Sequence, residues 1–146
     1  RTMKLDIRYA NHPSDSKHYT TEQLREHYLI EKVFVEDEIN LVYSHNDRII
    51  AGGAMPLTKG LMLESGKELA SEYFLELREM GAINIAGPGV ITIDGVDYEM
   101  NYQDGLYISK GSKDPSESLM LFILYGFILT VAVPSFEPSN VTFGDG

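Results

Sequence analysis

A mainly β fold, an all-β sandwich or barrel with one short helix near the N-terminus, follows from three features of this sequence. Apolar and polar residues alternate with period two through its middle. Two β-rich runs flank Asp94-Gly95, the pair that suits a tight hairpin because glycine takes a positive φ and aspartate tolerates one. Short runs of this kind recur between Gly-rich turns, the pattern of packed antiparallel sheets rather than of alternating strands and helices.

The elements follow in chain order. Residues 1–19 are polar and mixed, and Asn11-His12-Pro13-Ser14-Asp15-Ser16 reads as an exposed arm or turn. Thr20-Thr21-Glu22-Gln23 has the spacing of a capping box. With Leu24, Tyr28 and Leu29 on one face, it predicts a helix over 21–29. Val33 and Val35 alternate with Lys32, Phe34 and Glu36, and Ile39, Leu41 and Tyr43 with Asn40 and Val42, so strands are expected there. Ser44-His45-Asn46-Asp47 is a turn. Arg48-Ile49-Ile50-Ala51 resumes a strand that Gly52-Gly53 and Pro56 are expected to break.

Leu69, Tyr73, Leu77 and Met80 recur every three or four residues, which favours a helix for 67–80. The short run Tyr73–Leu77 also reads as a strand, since period alone cannot assign it. Gly87-Pro88-Gly89 is a turn between strands and lacks the Lys-Ser/Thr of a phosphate loop. The hairpin over 90–100 follows, then a strand at Leu106-Tyr107-Ile108 closed by Gly111. Leu119 to Val133 carries no charge and stops at Pro134. It is shorter than the roughly 18 residues of a membrane helix. A pair of buried strands turning near Tyr125-Gly126 is the favoured reading, and a membrane-associated tail is the alternative.

Composition narrows the functions. At 146 residues this is one domain's worth of chain. With 12 Lys+Arg against 22 Asp+Glu the net charge is −10, and no basic cluster interrupts it, so a nucleic-acid partner is not expected. The absence of cysteine excludes disulfides, thiolate zinc sites and cysteine nucleophiles. No charged-then-apolar leader opens the sequence, which makes a reducing cytoplasm the expected compartment, with no membrane partner.

Three blocks are distinctive: Glu31-Lys32-Val33-Phe34-Val35 followed by Tyr43 to Gly53, then Tyr73 to Ile85, then Asp104 to Gly111. Over about residues 20–113 they resemble the N-terminal half of the 5-keto-4-deoxyuronate isomerases, also called 4-deoxy-L-threo-5-hexosulose-uronate ketol-isomerases. The resemblance implies a cupin-like antiparallel β-sandwich (jelly roll), with an arm at 1–19 and the N-terminal cupin-like half at 20–146. It turns the ambiguous 67–80 segment into strand. It implies interconversion of 5-dehydro-4-deoxy-D-glucuronate and 3-deoxy-D-glycero-2,5-hexodiulosonate in pectin and uronate breakdown, by a hexameric enzyme. It also implies a zinc ion held by three His and one Glu of the C-terminal half, a half this sequence lacks. Residues 115–136 depart from the family pattern, which resumes at Val141-Thr142-Phe143-Gly144-Asp145.

A cupin metal site needs two His at i, i+2 on one strand, with a carboxylate and a further His beyond. His12, His18, His27 and His45 include no such pair. The place for the pair reads Ser71-Glu72-Tyr73-Phe74-Leu75-Glu76, and the place for the last His holds Ser112-Lys113. No metal or cofactor ligand is therefore expected in this half. Three catalytic candidates stand out. His45, beside Asp47 and Arg48, would be a proton shuttle or uronate contact, against a plainer role bonding turn backbone. Arg48 and Arg78 would clamp a substrate carboxylate, against a surface ion pair such as Arg78 with Glu76 or Glu79. The expected function is that of a ketol-isomerase fragment inactive alone, which binds a keto sugar acid and forms a homo-oligomer. The alternative is a metal-free scaffold or sugar-binding module.

Overall fold

The computed structural model describes residues 3–46, 48–65, 67–112, 119–123 and 128–134. The elements in chain order are β1 (Met3–Arg8), α1 (Pro13–Ser16), α2 (Thr21–Tyr28), β2 (Ile39–Ser44), β3 (Ile49–Ala54) and β4 (Leu61–Leu63). A 3-10 turn (Lys67–Leu69) leads to β5 (Arg78–Asn84), β6 (Gly89–Ile93), β7 (Val96–Met100), β8 (Gly105–Ile108), β9 (Leu119–Ile123) and β10 (Ile128–Pro134). Two sheets result. One has the order β1-β2-β3-β10-β5-β8 and the other β4-β9-β6-β7.

The eight strands from β3 to β10 fall four to a sheet, each sheet taking strands from both ends of the run. That is the double Greek key of a jelly roll. The inward positions of both sheets meet in one core, with Leu41, Ile50, Met80 and Ile108 from one side and Leu61, Leu63, Ile91 and Ile93 from the other. Each such side chain contributes about 1.5–3 kcal/mol on burial. The β6–β7 hairpin turns at Asp94 (φ 50°) and Gly95 (φ 77°), as the Asp-Gly pair requires.

Several expectations are corrected. The arm expected at 1–19 contains β1, paired in parallel with β2. Met3, Leu5 and Ile7 alternate with Lys4, Asp6 and Arg8, and Met3 and Leu5 join the core side. Residues 31–35 form no strand, and Glu36 makes only a bridge to Met55. Instead Val33 and Phe34 cross the outer side of β3.

Gly52-Gly53 lies inside β3 rather than ending it. A Cβ at Gly52 would collide with the Asn40 carbonyl oxygen, and one at Gly53 would lie 2.5 Å from the Phe34 ring. The pair marks close approach of neighbouring backbone and side chain.

The segment 67–80 is neither helix nor, before Arg78, strand. After the 3-10 turn it runs through turns and bends to residue 77. The residues at helix-like spacing do not share a fate: Leu69 and Met80 are buried and Leu77 is exposed, while Phe74 and Leu75, off that spacing, enter the core from the loop. Helix α2 forms with its capping box as expected. The Thr20 amide donates to Gln23 Oε1 (2.9 Å) and the Gln23 amide to Thr20 Oγ1 (3.2 Å).

The charge-free tail supplies two strands that do not pair with each other. β9 lies between β4 and β6, and β10 between β3 and β5. Each is interior to its sheet, and an interior jelly-roll strand is covered on one face by the opposite sheet, which favours apolar sequence. The expected turn at Tyr125-Gly126 and the stretch 141–145 lie outside the described residues. No helix among the described residues is long and apolar enough to cross a membrane.

Candidate functional site

Strand register gathers the three candidates at one end of the six-stranded sheet. Ser44 pairs with Ile49 across the β2–β3 turn, Ile50 with Ala132, Ala132 with Met80, and Pro134 with Arg78. His45 and Arg48 in that turn and Arg78 at the start of β5 therefore share an end. Asp47 lies outside the described residues.

His45 is half-buried and held by aromatic rings. Its ring lies 4.5 Å from that of Tyr43 and 5.2 Å from that of Tyr9, the latter stacked. Its backbone amide donates to the Arg8 carbonyl at 2.8 Å, which extends the β1–β2 pairing. That main-chain bond does not involve the imidazole, which fills an aromatic notch. Arg48 is exposed and has φ 52°, a left-handed turn position that an L-residue occupies at a cost.

Arg78 is neither exposed nor ion-paired among the described residues. It is 7% exposed and faces inward with Met80, Ala82 and Asn84. One guanidinium nitrogen donates to the Phe74 carbonyl (3.2 Å) and Ser71 Oγ (3.3 Å), and the other to the Leu69 carbonyl (3.4 Å). The guanidinium carbon lies 5.9 Å from the Phe74 ring centre. Burial lowers its pKa, opposed in part by the nearby Tyr43 phenol. Its role is to pin the 69–77 loop against the core. That loop is the signal sequence reading lacked, since two of its three acceptors are main-chain carbonyls, which carry no side-chain signature.

The opposite end of the sheet is closed by two neutral or ionised hubs that sequence reading missed. Asn84, fully buried, donates from Nδ2 to the carbonyls of Gly87 (2.7 Å) and Met100 (2.9 Å), while its Oδ1 accepts from the Ala86 amide (3.1 Å). Asp37 (φ 54°) accepts from the amides of Leu57 (2.8 Å) and Thr58 (2.9 Å) and from the Thr58 hydroxyl. These bonds hold its carboxyl at about 2, with the Thr58 hydroxyl the largest cause. Asp37 is therefore a latch on the loop after β3.

Among the described residues no three of His, Cys, Asp and Glu are close enough to hold a metal ion. The inward i, i+2 pairs Leu61/Leu63, Met80/Ala82 and Ile91/Ile93 are apolar, and the polar inward residues of β5, Arg78 and Asn84, are neither His nor carboxylate. Residues 71–76, expected as the strand for a His pair, are turns. The described residues do not fit a three-His zinc centre.

The strand order defines the class: a mainly β, cupin-like jelly-roll sandwich. Solved structures with which it overlaps include a cupin protein from Bacteroides fragilis (20% identical, 67% of this chain and 75% of that one, TM-score 0.44). Another is a predicted oxalate decarboxylase from Thermotoga maritima (14% identical, 62% and 70%, TM-score 0.42). No protein-family profile matches the chain. Among curated proteins, the 4-deoxy-L-threo-5-hexosulose-uronate ketol-isomerase of Lachnoclostridium phytofermentans is 56% identical over 112 residues, 77% of this chain and 41% of that protein. One from Enterococcus faecalis is 51% identical over 109 residues (75% and 40%), and one from Escherichia coli 51% over 112 residues (75% and 40%). Over this stretch the chain belongs to the 4-deoxy-L-threo-5-hexosulose-uronate ketol-isomerase family. It spans about two fifths of the length of the curated relatives it matches.

Proposed function

We propose that this chain is the supporting lobe of a ketol-isomerase that interconverts 5-dehydro-4-deoxy-D-glucuronate and 3-deoxy-D-glycero-2,5-hexodiulosonate in pectin-type uronate breakdown, in the cytoplasm. The observation that carries the reading is 56% identity over 112 residues to a protein named for that activity. The reaction moves a proton between adjacent carbons. It needs a group that stabilises the enediolate oxygen and a positioned acid/base. Arg78, the one buried cation of the described core, is engaged by loop carbonyls, and His45 is clasped by two tyrosine rings. The lobe therefore supports chemistry carried out elsewhere and has no turnover alone. The zinc that the resemblance implies has no ligand set among the described residues.

Two assays test this. The purified chain, given the keto uronate at neutral pH, is expected to convert none of it above the buffer rate. Zinc after dialysis is expected well below one ion per chain. Turnover at a full enzyme's rate, or one retained zinc per chain, would overturn the lobe reading.

Association of several copies belongs to the same proposal. Leu77, Ile83, Ile85 and Tyr107 are 51%, 48%, 43% and 65% exposed at the β5–β8 margin of the six-stranded sheet. Apolar residues clustered in this way favour association. Sedimentation of a stable monomer at all concentrations would count against it. The second reading, a metal-free sugar-binding module, is favoured by an open cleft between α2 and the β1–β2 pair, lined by charged side chains that include Lys4, Asp6, Glu22 and Arg25.

A further inference from the structure

Strand β7 ends the four-stranded sheet, with β6 on one side and no further strand beyond it among the described residues. The two-residue turn at Asp94-Gly95 fixes which of its main-chain groups are free. Ile93 and Val96 flank that turn and exchange main-chain bonds, as do Ile91 and Tyr98 two residues further on. The residues between, Asp97 and Glu99, direct their amides and carbonyls to the open edge.

The two faces of this edge differ. Val96 and Tyr98 lie opposite Ile93 and Ile91 on the core face, where both isoleucines are buried. Val96 and Tyr98 are nonetheless 52% and 41% exposed, so the core face runs on past the cover of the other sheet. Asp97 and Glu99 stand on the opposite face. The Thr92 hydroxyl donates to Asp97 at 2.6 Å, and neither acid has an ion pair among the described residues. Charge here has one sign: residues 79–109 include Glu79, Asp94, Asp97, Glu99 and Asp104 and no Lys, Arg or His. An open edge with an apolar face is a template for pairing, and the charge on it decides with what. Two copies of β7 laid side by side bring like charges together, which is destabilising, whereas opposite charges across the same ladder attract. The acids therefore reject a second copy and admit a basic strand.

We propose that β7 is a docking edge for an extended segment of another protein in which basic and apolar residues alternate. The segment's main chain pairs with Asp97 and Glu99. Its apolar side chains cover Val96 and Tyr98, and its Lys or Arg side chains stand beside the two acids. Main-chain bonds supply affinity in such strand addition, and alternate side chains supply selectivity. The edge is set by the β6–β7 hairpin alone, so it stands whether or not the lobe belongs to an active isomerase.

Calorimetric titration of this chain with short end-capped peptides tests it. A peptide of alternating Lys and Val is expected to bind saturably at one site, with one of alternating Glu and Val weaker by about tenfold or more. A peptide with the same Lys and Val content arranged in two blocks is also expected to be about tenfold weaker. Hydrogen exchange of the Asp97 and Glu99 amides should slow in the complex. The double variant Asp97→Lys, Glu99→Lys changes two exposed positions and is expected to reverse the preference, binding the Glu–Val peptide more tightly. No saturable Lys–Val binding would overturn the proposal. So would equal binding of the block peptide, which marks plain charge attraction, or an unaltered preference in the double variant. Loss in that variant of a self-associated species formed by the parent would also overturn it, by assigning the edge to a second copy. The isomerase reading is judged separately, by turnover and zinc content.

Discussion

Strand β5 carries a buried polar residue at each end, and the two ends are built differently. Asn84 makes three side-chain bonds of 2.7–3.1 Å to main-chain groups that would otherwise be left bare. Arg78 faces the same way from the other end. It holds its loop through contacts of 3.2–3.4 Å and has no described carboxylate to offset its charge. A neutral amide with both donor and acceptor can be fully satisfied by backbone. A guanidinium has only donors, and removing it from water is costly unless its charge is balanced. The Asn84 end, where the Asp37 latch also lies, is thus locked. The Arg78 end, with its aromatic notch around His45, is held more weakly.

The largest test of this contrast is Asn84→Ala. Three buried main-chain partners lose their bond, and a cost of about 3–5 kcal/mol is expected in urea unfolding. Arg78→Met keeps the stem and removes the unbalanced charge, so a smaller loss of about 1–2 kcal/mol is expected. Amide exchange in residues 69–77 should then quicken. A loss at Arg78 as large as at Asn84 would break the comparison.

The Asp37 latch is sharpened by pH. Its folded pKa, about 2, lies below the ordinary aspartate value of about 3.9. Its contribution is therefore complete above about pH 4 and fades as pH falls through about 2. Asp37→Asn should be less stable than the parent at neutral pH. The gap between the two unfolding midpoints should close between about pH 4 and pH 2. A gap independent of pH would remove the ionised latch from the account.

The smallest effect is expected at Arg48. Glycine accepts φ 52° without a Cβ clash but has more freedom to lose on folding. Arg48→Gly should therefore raise stability by less than about 1 kcal/mol. A clear destabilisation would show that the arginine side chain supports the loose end.

Legibility followed the range of the forces involved. The capping box at Thr20, the Asp94-Gly95 hairpin and the alternation over 39–43 were readable because they depend on neighbours a few residues apart. The β1 alternation of Met3, Leu5 and Ile7 was equally readable, but it was masked by the charges between them. Arg78 as a substrate clamp or surface ion pair was a reasonable expectation from an exposed-looking Arg-Glu context. Its actual acceptors are two loop carbonyls and the Ser71 hydroxyl, brought to it by a loop path that no pattern encodes. The α2 cleft could not have been seen at all. Leu24, Tyr28 and Leu29 suggest a face turned inward, yet all three are exposed, at 41%, 47% and 39%.

The sequence by itself determined the β character, the helix start, the hairpin and the family, because propensity, capping and turn chemistry act locally. Tertiary structure decided where the charge-free tail goes, one strand into each sheet, and that Gly52 and Gly53 permit close approach instead of ending a strand. It also decided that α2 buries no residue and what Arg78 binds. Each of these depends on groups distant in sequence brought within a few ångströms, and burial fixes their partners only once the two sheets have closed on one core.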